Sequence, residues 1–84
     1  MIHYILLCHP SDIEKAVGAW CRLGKFQTVS RLLKAIGPAT TEAQSLAVVN
    51  GARSYRNKVP GLVSVMDDIY EKRLKALPYT IGWY

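Results

Sequence analysis

The side chains with the greatest capacity for metal binding or nucleophilic catalysis are the two histidines and the two cysteines: His3, Cys8, His9 and Cys21. Zinc sites are built from closely spaced pairs of cysteines or histidines, and no such paired spacing occurs here. Cys8 and His9 are adjacent, so in a strand their side chains would face opposite ways, and no third residue is placed to orient them for catalysis. We therefore predict no metal, no cofactor and no enzymatic activity.

The charge pattern is the strongest functional indication in the sequence. The chain carries 11 Lys and Arg residues against 6 Asp and Glu, a net charge of +5. Between Lys15 and Met66 lie eight of these cations and a single acid, Glu42. Such a stretch attracts polyanions or acidic protein surfaces, and no glycine-rich phosphate loop accompanies it to indicate nucleotide chemistry. The pattern predicts a small basic binding protein whose partner is nucleic acid or an acidic protein surface.

From Ile13 to Gly37 the chain resembles a helix-turn-helix of the phage-repressor type, with one helix that ends near Gly24, a short link, and a second helix. In that motif the second helix lies in the major groove, where its first polar residues contact base edges. The resemblance implies contacts from Gln27, Thr28, Ser30, Arg31 and Lys34, with the cations Arg22 and Lys25 beside the link. Between Gly24 and Val29 the link is one residue shorter than usual. The alternative is two amphipathic helices that meet at a glycine and carry a solvated basic face.

A second basic patch extends from Arg53 to Lys58 and has an aromatic residue between its cations. Cations neutralise phosphates, and a tyrosine can stack on an exposed base. The candidate contacts in this patch are Arg53, Tyr55, Arg56 and Lys58. The alternative is that cations near a helix C-terminus only offset the helix dipole.

Trp83, near the end of the chain, is a further candidate contact. Aromatic residues and arginine are enriched at protein interfaces, and Trp83 is large for so small a domain. The alternative is packing in the core or in a terminal sheet.

The length of the chain predicts one domain, residues 1–84, and its glycine, proline and capping residues divide it into about four short helices. Ser11 with Glu14, and Thr41 with Gln44, form capping-box patterns. The helices are expected at residues 11–24, at about 28–36, from Thr41 to Gly51 or onward to Arg56, and from Pro60 to Pro78. Ala43, Leu46, Ala47 and Val49 are expected to form the apolar face of the third helix, and Asp68–Lys72 and Glu71–Lys75 to form ion pairs on the fourth.

The chain termini favour strands. Ile2–Cys8 is rich in β-forming residues, and Tyr79, Ile81 and Trp83 alternate with Thr80, Gly82 and Tyr84. Paired, they would form a two-stranded β element, so the expected class is mainly α (α+β). Because a domain this short buries a small core, a homodimer is also expected as a means of support.

The sequence also bears on location and on a second functional class. We predict no signal peptide and no membrane helix, and two unpatterned cysteines favour a reducing, intracellular (cytoplasmic) setting. The preferred hypothesis is a non-enzymatic regulatory module whose central helices bind nucleic acid. The alternative is a phage- or mobile-element-like inhibitor that docks on a larger protein, such as a nucleic-acid-processing enzyme or a defence complex.

Overall fold

The computed structural model of this chain describes residues 9–36 and 41–83, and these residues are mainly helical, as predicted. In the described ranges the helices are α1 (Pro10–Arg22), α2 (Gln27–Ile36), α3 (Glu42–Arg53) and α4 (Leu62–Ile69), the last followed by a π-helical turn (Tyr70–Leu74). Their apolar faces meet in one core that includes Ile13, Val17, Val29, Leu32, Val48, Leu62, Met66 and Leu74.

The start of α1 differs from the predicted capping box. The N-cap is His9, whose ring nitrogen Nδ1 accepts the backbone N–H of Ser11 at 3.2 Å. Pro10 occupies the first helical position, where its fixed φ and missing N–H carry no cost, and this moves the start of the helix one residue earlier than expected. Ser11 therefore lies inside the first turn, with its hydroxyl 2.8 Å from His9 Nδ1.

Helix α1 ends beside Gly24, as predicted, and the structure shows that its end is a Schellman turn. Gly24 has a φ of 76°, and its N–H donates to the carbonyl of Cys21 at 3.1 Å. The N–H of Lys25 donates to the carbonyl of Trp20 at 2.7 Å. These two bonds satisfy the last carbonyls of α1 and turn the chain sharply into α2.

Helices α1 and α3 form the main helix pair of the fold. A Cβ placed on Gly51 would lie 2.7 Å from the carbonyl oxygen of Glu14, and one on Gly18 would lie 3.6 Å from the carbonyl oxygen of Gly51. Pro10 and Ser11 at the start of α1 lie near Ala43 at the start of α3, and Gly18 lies near Gly51 towards its end, so the helices run parallel. Helix α3 continues through Gly51, which is buried. A larger side chain at this position would force the two backbones apart.

The cap of α3 confirms the second capping box. Gln44 N–H donates to Thr41 Oγ1 at 3.1 Å, and Thr41 N–H donates to Gln44 Oε1 at 2.9 Å. The predicted apolar face of α3 is partly wrong, because Ala43 is exposed and Leu46 is 42% exposed. The buried positions are Ser45, Ala47, Val48, Val49, Gly51 and Ala52. Small residues enter the core here since α1 lies so close.

The fourth helix starts later than predicted and changes pitch near its end. α4 begins at Leu62 rather than at Pro60, after Gly61, whose φ is 85°. In the π-helical turn the N–H of Lys75 donates to the carbonyl of Tyr70, five residues back, at 2.8 Å. The extra residue in this turn shifts the core-facing position by one, so that Leu74 becomes buried.

The described carboxy-terminal residues, 79–83, form no strand. Their predicted pairing partner, residues 2–8, lies outside the described residues, so the β element stays a prediction. Ile81 and Trp83 are nonetheless buried, and the segment packs against the helices as an irregular strap.

Candidate nucleic-acid interface

The acids of α4 and of the π-helical turn are engaged with neighbouring residues. Asp68 pairs with Lys72 at 3.1 Å and Glu71 pairs with Lys75 at 3.4 Å, both as exposed i,i+4 pairs, as predicted. Asp67 accepts a hydrogen bond from the indole nitrogen of Trp83 at 2.9 Å. This part of the molecule is therefore close to neutral, and the excess positive charge lies elsewhere.

Six cations, in α1, in α2, in the turn between them and at residue 58, are unpaired within the described residues. No carboxylate in ranges 9–36 and 41–83 lies within ion-pair distance of them. They are exposed side chains: Lys15, Arg22, Lys25, Arg31, Lys34 and Lys58. Unpaired surface cations keep their full charge available for a polyanionic partner.

The polar face of α2 brings together four of the predicted contacts. Gln27, Ser30, Arg31 and Lys34 recur at helical spacing and line one wall of a groove of about 490 Å³. Ser64, Val65 and Asp68 of α4 form the opposite wall. The cations of this wall are exposed, whereas Val29, Leu32 and Leu33 on the other face of α2 are buried. Burial of that apolar face fixes the basic face outward.

The packing of α1 departs from the helix-turn-helix expectation. In that motif the two helices of the pair pack on each other. Here α1 packs chiefly against α3, while α2 contributes its apolar face to the shared core. The connection through Gly24 is as short as predicted, but the helix pair itself is not the main packing unit.

The second basic patch is partly occupied in holding the carboxy-terminal segment. The Arg53 guanidinium donates to the carbonyl of Gly82 at 2.7 Å, and that of Arg56 donates to the carbonyl of Trp83 at 3.0 Å. The Arg56 guanidinium also lies 4.8 Å from the centre of the Trp83 ring, a cation–π contact. Lys58 is exposed in the following loop.

Trp83 occupies the core rather than the surface. Its side chain is fully buried, so a partner could not contact the indole without displacing the strap. This corresponds to the core alternative considered for Trp83 from the sequence. We leave Trp83 out of the proposed interface for this reason.

A second groove, between α1 and α3, contains residues that the sequence did not single out as contacts. Its volume is about 450 Å³, and the two glycines of the helix crossing lie among its lining residues. The polar residues that line it are Glu14, Lys15, Arg22, Asn50, Ser54 and Tyr55. Of these, Arg22 and Tyr55 were predicted contacts on separate patches, and the parallel helix pair brings them to one groove. The sequence signal for this groove is the i,i+4 spacing of its lining residues, at positions 14, 18 and 22 on α1 and at positions 50 and 54 at the end of α3.

The described residues offer little else for chemistry. No three His, Cys, Asp or Glu side chains in ranges 9–36 and 41–83 cluster closely enough to hold a metal ion, and His3 and Cys8 lie outside those ranges. Cys21 is a free, buried thiol, and burial raises its pKa to about 11. A thiol with so high a pKa stays protonated near neutral pH and is a poor nucleophile.

Comparison with known proteins gave no match: no protein-family model, no curated protein and no solved structure is similar to this chain. Within the described residues, every helix is too short or too polar to cross a membrane.

Proposed function

We propose that this chain is a non-enzymatic nucleic-acid-binding module whose main contact surface is the exposed face of α2, extended by Lys25. The observation that supports the proposal is the separation of charge described above. Asp68 and Glu71 are paired with Lys72 and Lys75, whereas Arg31 and Lys34 are exposed and have no carboxylate partner among the described residues.

The same surface has polar groups suited to a nucleic-acid backbone. Gln27 and Ser30 lie beside the two cations and can donate hydrogen bonds to phosphate oxygens. Asp68 lies across the groove, but its carboxylate is already paired with Lys72. Repulsion between Asp68 and an incoming phosphate is thereby reduced.

Single substitutions in the protein test this surface, with affinity for a labelled DNA duplex measured at low salt. Arg31→Ala and Lys34→Ala are each expected to weaken binding, because each removes a cation that contacts phosphate. Lys75→Ala is the matched control, since it removes the same charge from an exposed lysine that already pairs with Glu71. Equal losses from all three substitutions would contradict a defined interface on α2.

An acidic protein surface is the second candidate partner, and one observation favours it. Leu23 is 62% exposed and lies between two cations, Arg22 and Lys25, in the turn after α1. An exposed aliphatic side chain with flanking cations suits an interface that has an apolar centre and an acidic rim.

Capture of partners from lysate by the immobilised protein distinguishes nucleic acid from an acidic protein as the partner. A pulldown with and without nuclease is expected to lose the bound material after nuclease treatment. Retention of one protein despite nuclease would favour the inhibitor hypothesis instead.

A further inference from the structure

The groove between α1 and α3 has the features of a site for an unpaired nucleotide. One of its lining residues is Gly18, where an added Cβ would meet only ordinary van der Waals contacts, so no side chain occupies the groove at this position. Cations stand on its α1 side, at Lys15 and Arg22. The Tyr55 ring, in the turn that follows α3, borders it on the other side, since a Cβ on Gly18 would lie 3.9 Å from Tyr55 Cε2.

An aromatic ring and cations that line the same groove suit the two parts of a nucleotide, its base and its phosphate. Tyr55 is half-buried, so its ring is held in place by the core while part of it stays accessible. Aromatic rings of this kind act as stacking platforms for bases, and neighbouring cations follow the phosphates. Asn50 and Ser54 lie on the same side of the groove as Tyr55 and offer hydrogen-bonding groups to a base edge or a sugar.

The charges along the groove are unequal at its two ends. Glu14 lines the end nearer the start of α1, and Arg22 lines the end at the turn into α2. The bond between Lys25 N–H and the carbonyl of Trp20 holds Lys25 against the last turn of α1, close to Arg22 along the chain. The positive charge of this region therefore lies at the end of the groove where Arg22 stands, and Lys25 follows it along the chain.

We propose that the α1–α3 groove binds a single-stranded segment of nucleic acid, with one base stacked on Tyr55 and an adjacent phosphate held by Arg22. The proposal rests on the function proposed above and adds the class of ligand. Inside a base-paired duplex the base faces are covered by stacking, so the groove distinguishes an unpaired strand from the interior of a duplex.

Two probes test the proposal: a labelled oligothymidine of about ten nucleotides, within the usual site size of single-strand binders, and a blunt DNA duplex. Tyr55→Leu keeps an apolar side chain but removes the ring, and Tyr55→Phe keeps the ring. We expect Tyr55→Leu to weaken oligothymidine binding at least about fivefold, the lower end of a base–aromatic stack. Tyr55→Phe should bind like the wild type, and duplex binding should change little in either variant.

Arg22→Gln provides a variant that leaves the core untouched, because Arg22 is exposed. It should weaken oligothymidine binding more than Lys58→Gln does, since Lys58 lies outside the groove but carries the same charge. Equal effects of Tyr55→Leu and Tyr55→Phe, or equal losses on both probes, would overturn the single-strand site and leave duplex binding by α2 standing. Binding of neither probe at low salt would instead refute the proposed function.

An acidic peptide serves as the third probe. If poly-glutamate binds as tightly as oligothymidine and loses as much affinity in Tyr55→Leu, the groove takes an acidic protein segment and the proposal is wrong.

Discussion

The contacts of the Trp83 indole hold the carboxy-terminal strap against the helices. The indole is fully buried, donates to Asp67 Oδ1 at 2.9 Å and lies under the guanidinium of Arg56. A buried N–H group must be hydrogen-bonded to avoid a large desolvation cost, and here the acceptor is a carboxylate, which makes a stronger bond than a neutral oxygen. The strap thus joins α4 to the end of α3.

Trp83→Phe tests this contact by removing the indole N–H while keeping an aromatic ring. We expect a loss of about 1–3 kcal/mol in the free energy of unfolding, because the hydrogen bond to a charged acceptor is lost and the smaller ring leaves a void. Chemical denaturation measures the change. Trp20→Phe, at a half-buried tryptophan of α1, is the control and should cost less; equal costs would show that the Trp83 contacts contribute nothing special.

Cys21 gives a prediction about pH. Its pKa rises from 9.0 to about 11 in the folded state because burial disfavours the thiolate. The unfolded chain therefore loses this proton at lower pH than the folded chain does. Stability from this residue is fully present below about pH 9 and falls as pH rises towards 11, by up to roughly 2 kcal/mol.

The measurement is the free energy of unfolding between pH 8 and pH 11 in a Cys8→Ser background, with Cys21→Ala as the matched control. The decline should be shallower in the Cys21→Ala protein. Parallel pH profiles would mean that Cys21 does not titrate differently on folding.

At the scale of elements, the parallel pair of α1 and α3 positions both the core and the α1–α3 groove. Its close approach depends on Gly51, whose missing side chain admits the backbone of Glu14. The neighbouring Gly18 faces the groove, where an added methyl group would meet only ordinary van der Waals contacts. The two glycines therefore have different tolerances, although both lie in helices.

Gly51→Ala and Gly18→Ala form a matched pair of substitutions. Gly51→Ala should destabilise the protein by about 1–3 kcal/mol, because its Cβ would lie 2.7 Å from the Glu14 carbonyl oxygen and the helices must separate. Gly18→Ala should be neutral or stabilising by up to about 1 kcal/mol, since alanine favours helix more than glycine does. Thermal unfolding compares them, and a stable Gly51→Ala protein would show that the helices pack less closely than described.

The sequence predicted the existence of all four described helices, but it predicted their ends unevenly. The cap at Thr41 and the turn at Gly24 follow from local bonds, so their residue patterns suffice. At Ser11 the pattern was misleading because Pro10 can begin a helix and His9 can cap it, a less common choice. The π-helical turn was not predicted, since it follows from the need to bury Leu74 against the core.

The apolar face of α3 was only partly predicted, because its buried positions depend on tertiary packing. Periodicity favoured Leu46 as a core residue, yet Leu46 is 42% exposed and Ser45 is buried. Small residues occupy buried positions because α1 approaches closely at Gly51. Helical spacing alone carries no information on how near the neighbouring helix will come.

At the scale of the whole molecule, the sequence predicted the basic character of the surface but not its division. Eight cations in the middle of the chain suggested one cationic region. The structure assigns Arg53 and Arg56 to the carboxy-terminal strap, places Arg31 and Lys34 on the face of α2, and places Lys15 and Arg22 in the α1–α3 groove. That division depends on long-range contacts, such as those to Gly82 and Trp83, which no local pattern contains. The predicted homodimer stays a prediction.

The salt dependence of duplex binding tests the central claim, that α2 presents the main nucleic-acid contact, most directly. Each phosphate contact adds about 0.9 to the slope of log affinity against log salt, and we expect about three to five contacts for the wild type. The Arg31→Ala/Lys34→Ala double variant should lose close to two contacts from that slope, whereas Lys75→Ala should leave the slope nearly unchanged. An unchanged slope in the double variant, or no duplex binding by the wild type at low salt, would show that α2 is not the main nucleic-acid contact.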